Sequence, residues 1–482
     1  MRILILSAST GGGHKRASQA LNNYILKNEP ENIVEIKDCL ELVGHLFNKA
    51  ISNGYTFMAK KTPKMYGNFY DISNRDTTLN SMLTKVMDQM AKKMYPPIED
   101  FNPDVIITMH PFAGTMLKKL KDDGKIDVPF VSVLTDFAPH KTYVNDRIDA
   151  YIVSSQEMVD SLATYGIDRN IIHSVGIPID PAFYDVYDKK EIFSSIGLNE
   201  NMKTLLIMAG SFGVTDILKI YQNISEIEEE FQIILITGKN QKLYDSFEKM
   251  FAQAMKDKKY KRAKSLKELH KGKKMHVHKF KGINEVIEKF IDDVSKEYQN
   301  DFTKLLKDKN SKYNSKYQQK KTLLKFKVKK TQADVKEELL EITLVQKLYK
   351  GDTSSVVSKP TKLLYFVNDV NKYMAVADLI ITKPGGLTVS ESVASMLPMA
   401  IFQAFPGQEE ENASYLIRNN MAVSLPKGKD CKTTIQELIT HPTKLEEMKN
   451  ACKTFYNERS AQKVYEIAKQ LVEESEKPDK VD

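Results

Sequence analysis

Thr382-Lys383-Pro384-Gly385-Gly386-Leu387-Thr388-Val389-Ser390-Glu391-Ser392 is the stretch whose reading decides the fold. The apolar run Leu379-Ile380-Ile381 before it reads as a buried strand. Lys383-Pro384-Gly385-Gly386 breaks the strand, and a helical pattern starts at Thr388 and runs through Ser390, Glu391, Ala394 and Met396. A strand, a glycine turn and a helix in that order leave the first backbone N–H groups of the helix unpaired, with the positive end of the helix dipole behind them. That is a site for an anion, most often phosphate. Glu391, one turn into the helix, is placed to accept hydrogen bonds from a sugar diol. The same residues also fit a tight strand-to-helix connection whose Glu is merely solvated.

The signature occurs twice more. Arg2–Ala8 reads as a first strand, Ser9-Thr10-Gly11-Gly12-Gly13-His14 as a glycine turn, and Lys15–Leu21 as the opening of a helix. Further on, strand Leu205–Met208 leads into Ala209-Gly210-Ser211-Phe212-Gly213 and a helix from Asp216 to Glu230. Between them, short apolar strands (Ile33–Lys37, Asp104–Met109, Phe130–Leu134, Ala150–Ser154, Ile171–Val175) alternate with helical patterns. After them come Gln232–Thr237, Leu363–Phe366, Met399–Phe402 and Met421–Leu425. This alternation predicts α/β architecture: two Rossmann-like, doubly wound domains, each with an anion-capable turn. His14, His110, Asp136 and His140 all fall at carboxyl ends of strands, where parallel sheets gather functional side chains. No helical or hairpin spacing ties them into a metal site.

The remaining stretches bound the possibilities. The 482 residues exceed one ordinary domain, and the three cysteines, Cys39, Cys431 and Cys452, form neither a disulfide framework nor a metal cluster, which predicts a reducing compartment. No apolar run reaches the length of a membrane span, and the first residues lack the pattern of a signal peptide. The net charge of +8 is unevenly spread. Residues 241–362 hold 32 Lys+Arg against 16 Asp+Glu, so that this one stretch carries +16 and the rest of the chain is acidic. It reads as a Lys-rich insertion in the second domain, with helix-like stretches at Ile283–Glu297 and Ala333–Lys347. Solvated surface, attraction to anionic lipid and attraction to nucleic acid all suit its composition, although no specific nucleic-acid motif is present. Gly44–Tyr95 interleaves Phe, Tyr and Met with Lys, which suits a membrane interface or a helical core with a solvated face. Ile435–Glu474 reads as helical and the tail from Lys477 as disordered.

Taken in order, Gly11-Gly12-Gly13-His14, His110-Pro111, Thr135-Asp136-Phe137 with His140, Gly176-Ile177-Pro178-Ile179, Met208-Ala209-Gly210, Lys383-Pro384-Gly385-Gly386, Glu391, and Pro406-Gly407-Gln408-Glu409 with Asn412 resemble one family. It is the GT-B glycosyltransferase family of monogalactosyldiacylglycerol synthases and bacterial diacylglycerol glucosyltransferases, with the peptidoglycan GlcNAc transferase as a more distant relative. The resemblance implies an acceptor- and membrane-binding domain over 1–185 and a UDP-sugar domain over 186–240 and 363–455. The 241–362 insertion lies outside the family pattern, and a helix and tail over 456–482 close the chain. It implies inverting transfer of glucose or galactose from UDP-glucose or UDP-galactose to diacylglycerol, on the cytoplasmic face of the membrane as a peripheral protein attracted to anionic phospholipid. Neither a metal nor a cofactor is expected. His14 would be the general base, with Asp136 orienting the acceptor or a His. Gly13, Gly210, Ser211, Phe212, Gly213, Lys239, Lys383, Pro384, Gly385, Gly386, Leu387, Thr388, Glu391, Gly407, Gln408, Glu409 and Asn412 would hold the UDP-sugar. His110, Pro111, His140 and Tyr143, the last standing where the family often has Trp, would meet the acceptor. Two alternatives stay open: another GT-B enzyme, acting on a polyprenyl-linked acceptor or as a UDP-sugar 2-epimerase, and a non-catalytic protein that senses nucleotide while binding membrane or nucleic acid.

Overall fold

The structure, a computed structural model, describes residues 1–8, 12–43, 79–208, 217–252, 324–333, 337–346, 359–402, 404–428 and 430–476, with 79–87, 324–333 and 337–346 described as backbone alone. The Gly210–Gly213 turn, the helix-like Ile283–Glu297, the aromatic and basic residues 44–78 and the tail from Lys477 lie outside the described residues.

The first half runs β1 (Arg2–Ser7), α1 (Gly12–Asn28), β2 (Ile33–Asp38), α2 (Cys39–Val43), α3 (Leu79–Phe101), β3 (Val105–Thr108), α4 (Pro111–Asp122), β4 (Phe130–Val133), β5 (Ala150–Val153), α5 (Gln156–Thr164) and β6 (Ile172–Ser174). Its six strands pair in parallel in the order β2-β1-β3-β4-β5-β6. They are short continuous apolar runs because helices cover both faces. Ile3, Leu4, Ile5 and Leu6 are all fully buried, and alternate residues belong to two separate cores on the two sides of the sheet.

The second half continues through α6 (Lys189–Ile196), β7 (Thr204–Met208), α7 (Ile217–Ser225) and β8 (Gln232–Ile236). It resumes after residue 358 with β11 (Thr361–Leu364), α8 (Val370–Val376), β12 (Leu379–Thr382), α9 (Gly386–Ala394), β13 (Met399–Ile401), α10 (Gln408–Arg418), β14 (Ala422–Ser424), α11 (Asp430–Thr440), α12 (Pro442–Thr454) and α13 (Ser460–Ser475). These strands form a second parallel sheet, β11-β8-β7-β12-β13-β14. The two doubly wound sheets expected from the sequence are therefore present. The order reverses at β1/β3 in the first sheet and at β7/β12 in the second, the places where an open α/β sheet leaves a crevice for a ligand. The helical stretch Ile435–Glu474 is three helices, interrupted before His441-Pro442 and at Arg459, whose backbone is left-handed (φ 60°).

Both sheets belong to one compact unit, Met1–Asp245 with Lys359–Asp482, and Ser246–Ser358 forms a second. Within this second unit, β9 (Leu324–Ala333) and β10 (Glu337–Gln346) make an antiparallel ladder, with Val328 opposite Ile342 and Lys327 opposite Thr343. This corrects the helix expected at Ala333–Lys347. The Glu-Glu-Leu-Leu-Glu start mimics a helix, but Ile342, Thr343 and Val345 are β-branched. The alternating run Leu324-Lys325-Phe326-Lys327-Val328-Lys329 supplies a partner with the period of a strand.

Within the larger unit the two halves meet closely. A Cβ built on Gly386, the first residue of α9, would lie 1.9 Å from the carbonyl oxygen of Thr135. Only glycine fits where the start of α9 abuts the backbone after β4. The C-terminal segment crosses back to the first half: Ser460 Oγ donates to the Ile177 carbonyl at 2.9 Å, and Asn457 Nδ2 to that of Ser154 at 3.1 Å. Gly386→Ala separates propensity from contact. Alanine favours a helix interior by about 0.5–1 kcal/mol, whereas overpacking costs about 1–3 kcal/mol. The expected outcome is a lower thermal midpoint in scanning calorimetry. A raised midpoint would show that α9 does not press on Thr135.

Candidate active site

His14 lies in the first turn of α1, beside the β1/β3 switch point. Its Nδ1 is 2.7 Å from the carbonyl oxygen of Met109, just past β3, and 3.0 Å from Thr135 Oγ1. A carbonyl only accepts, so Nδ1 carries the proton and Nε2 keeps its lone pair. Burial lowers the His14 pKa below its ordinary value, opposed by the negative charge of Asp136 and by the Met109 carbonyl. The imidazole is thus held neutral, with its basic nitrogen fixed by the hydrogen bond on the other side of the ring. His110 packs edge-on against it, with centroids 4.8 Å apart. Burial, reinforced by His14, holds the His110 pKa well below the usual range, and its Nδ1 accepts from Phe112 N–H at the start of α4.

Asp136 follows β4. Oδ2 accepts from Gln408 Nε2 at 3.0 Å and Oδ1 from Asn412 Nδ2 at 3.2 Å, both from α10 of the second half. Burial raises the Asp136 pKa, opposed by His14, by the Asn412 amide and by His140. Asn412 has no exposed surface, and its amide is fully engaged. Besides Asp136, Nδ2 donates to the Pro384 carbonyl at 3.0 Å, and Oδ1 accepts from Phe137 N–H at 2.7 Å. In this arrangement Asn412 ties three segments together and has no donor left for a sugar hydroxyl. Gln408 likewise reaches Asp136.

The start of α9 faces this cluster. Gly385, Gly386, Leu387 and Thr388 form its first turn, and a Cβ on Gly13 would meet Leu387 at 3.9 Å. The ammonium of Lys383 sits 3.6 Å from the centroid of the Phe405 ring. Burial lowers its pKa, with Glu409 opposing. Glu409 itself is raised by burial, and its Oε2 accepts from Phe405 N–H at 2.8 Å, so it shapes the turn around Gly407 (φ 91°) that opens α10. Glu391 is 4% exposed, and its Oε1 pairs with Arg16 Nη1 at 3.1 Å.

Other expected site residues stand further out. Tyr143 is 3% exposed and belongs to the core of the first sheet. His140 is buried and caps the turn Lys141–Tyr143 through Nδ1. Pro111 is the first residue of α4. Lys239 follows β8 and lies over the ring of Phe366, 4.8 Å away, next to β11. Sequence reasoning passed over Arg16, Thr135 as a partner of His14, and the Met109 carbonyl. Arg16 could have been found from its place two residues after His14 in a helical first turn. The other two are set by how β1, β3 and β4 align, which no local pattern encodes.

Chemically, the cluster sets a neutral imidazole, whose Nε2 has no hydrogen-bond partner among the described residues, and a buried carboxylate beside a helix N-terminus. Among the described residues no helix is long and apolar enough to cross a membrane.

The chain matches the family model described as monogalactosyldiacylglycerol (MGDG) synthase over residues 14–179, and that of the glycosyltransferase family 28 C-terminal domain over 278–471. The second match begins inside the Lys-rich segment. Among curated proteins, the processive diacylglycerol beta-glucosyltransferase of Bacillus pumilus is 24% identical, over 98% of this chain and 95% of the relative. Its namesake from Bacillus licheniformis is 23% identical with the same coverage. Among solved structures, MurG of Acinetobacter baumannii aligns with a TM-score of 0.48 at 10% identity, over 97% of this chain and 99% of that one. The MnaA–UDP structure from S. aureus aligns with a TM-score of 0.48 at 12% identity, over 99% and 98%. The resemblance carried by the motifs, to the monogalactosyldiacylglycerol synthases and diacylglycerol glucosyltransferases, thus holds in both halves of the chain.

Proposed function

We propose that the protein is an inverting glycosyltransferase that moves a hexose from a UDP-sugar to the free hydroxyl of diacylglycerol. The observation that carries the reading is the hydrogen bond from His14 Nδ1 to the Met109 carbonyl. It dedicates Nε2 to accepting a proton, which is what an attacking alcohol must lose. The family matches and the names of the relatives support the lipid acceptor.

In the proposed reaction, the acceptor oxygen attacks the anomeric carbon as its proton passes to His14 Nε2. The new C–O bond forms on the face opposite the breaking bond to UDP, and the diphosphate leaves with the bonding electrons. Asp136, anchored by Gln408 and Asn412, favours the imidazolium that results. The first-turn N–H groups of α9 and its dipole receive the developing charge on the diphosphate, with Lys383 beside them. Glu391 accepts the ribose hydroxyls. Binding to anionic phospholipid on the cytoplasmic face, through the Lys-rich 241–362 segment or residues 44–95, brings the enzyme to its acceptor. Either UDP-glucose or UDP-galactose fits this chemistry.

His14→Ala is expected to lower turnover by about 10²–10⁴-fold while UDP affinity, followed by calorimetry, stays near wild type. Turnover retained in the variant would remove His14 as the base. Because the base must be neutral and its pKa is lowered, kcat at saturating substrate should be lost only as pH falls below the ordinary histidine range. Asp136→Asn withdraws a charge that raises the His14 pKa, so its acid limb should shift to still lower pH alongside a reduced kcat; an unmoved limb would contradict the coupling. In flotation assays the protein should rise with vesicles containing anionic phospholipid and be released by salt. Equal binding to neutral vesicles would remove the electrostatic contribution.

A further inference from the structure

Glu391 has one oxygen bound and one oxygen open. Oε1 is 3.1 Å from Arg16 Nη1, whereas Oε2 is buried without a hydrogen-bond partner among the described residues. An unpaired buried acceptor is costly unless something occupies it in the working protein. The partner of Oε1 comes from the other half of the molecule, 375 positions away in sequence and two residues after His14 on α1. Arg16 is the exposed member of the pair, with 46% of its side chain accessible against 5% for Glu391. Among the described residues, two charged groups act on Glu391. Burial raises its pKa to about 7, Arg16 on α1 opposes the rise, and Asp180, ahead of the turn Pro181–Tyr184, adds to it.

We propose that Arg16 is a positioning residue of the donor site, supplied by the first domain, which keeps Glu391 ionised and leaves Oε2 as the acceptor for a hydroxyl of the bound nucleotide. The proposal rests on the reading of Glu391 as the ribose contact. A carboxylate accepts from both hydroxyls of a diol, and a neutral carboxyl gives up one of those acceptor positions to its own proton. With Arg16 in place, neutral pH lies at the edge of the ionised range of Glu391. Without it, the carboxyl protonates at still higher pH. The donor site is therefore complete only when both halves contribute, and the helix that carries the candidate base also conditions the nucleotide contact.

The test is UDP binding by calorimetry between about pH 6 and about pH 9 for the wild type, Arg16→Gln, Arg16→Lys, Glu391→Gln and the Arg16→Gln/Glu391→Gln double variant. Titration of the UDP phosphate is common to all five. Wild-type affinity should rise through about pH 7 relative to Glu391→Gln. Arg16→Gln should bind several-fold more weakly near neutrality and approach wild type at the alkaline end. Arg16→Lys should restore most of the loss, and Arg16→Gln should add nothing once Glu391 is Gln. A loss in Arg16→Gln that is equal at every pH, or no loss at all, overturns the role of Arg16 while Glu391→Gln still weakens binding. Unchanged affinity in Glu391→Gln overturns the ribose reading, and this inference with it.

Discussion

The side chain of Asn412 is the joint on which the site depends. It has no exposed surface, and its three hydrogen bonds run to the Phe137 N–H, the Asp136 carboxylate and the Pro384 carbonyl. One amide therefore locks the turn after β4 of the first sheet to the turn after β12 of the second. Buried polar groups of this kind fix one arrangement because any other leaves them unpaired. The consequence for chemistry is spatial. The carboxylate that biases His14 is held by residues of the second half, and the helix N-terminus suited to a diphosphate abuts the backbone of Thr135, whose hydroxyl touches His14.

Much of this was legible from local pattern. Continuous apolar runs gave the strands to within about two residues, because a parallel sheet covered on both faces tolerates little else. Glycine turns between strand and helix marked the switch points, and two of the three, at Gly13 and Gly385–Gly386, lie within the described residues. Placing His14, His110, Asp136 and His140 at strand ends followed from the same pattern.

What stayed hidden depends on contacts between distant residues. Gln408 and Asn412 looked like readers of sugar hydroxyls, because helix-start amides are free until a partner from elsewhere claims them. Here Asp136 accepts from both, and Asn412 has no donor left. Tyr143, which the resemblance placed at the acceptor, is packed into the core of the first sheet. Glu391 looked solvated or ligand-bound, and the ion pair with Arg16 supplies a third state. The β9–β10 hairpin was misread because a Glu- and Leu-rich start resembles a helix until the alternation of the preceding strand is weighed with it.

Inversion at the anomeric carbon is the central claim of the proposed reaction, in which a single base would act on the acceptor opposite a departing diphosphate. The direct measurement is the anomeric configuration of the lipid product, by nuclear magnetic resonance, after incubation with diacylglycerol in micelles and UDP-glucose or UDP-galactose, whose sugars are α-linked. A β-linked glycosyl diacylglycerol is the predicted result. An α-linked product, or an epimerised nucleotide sugar with no lipid product, would contradict it.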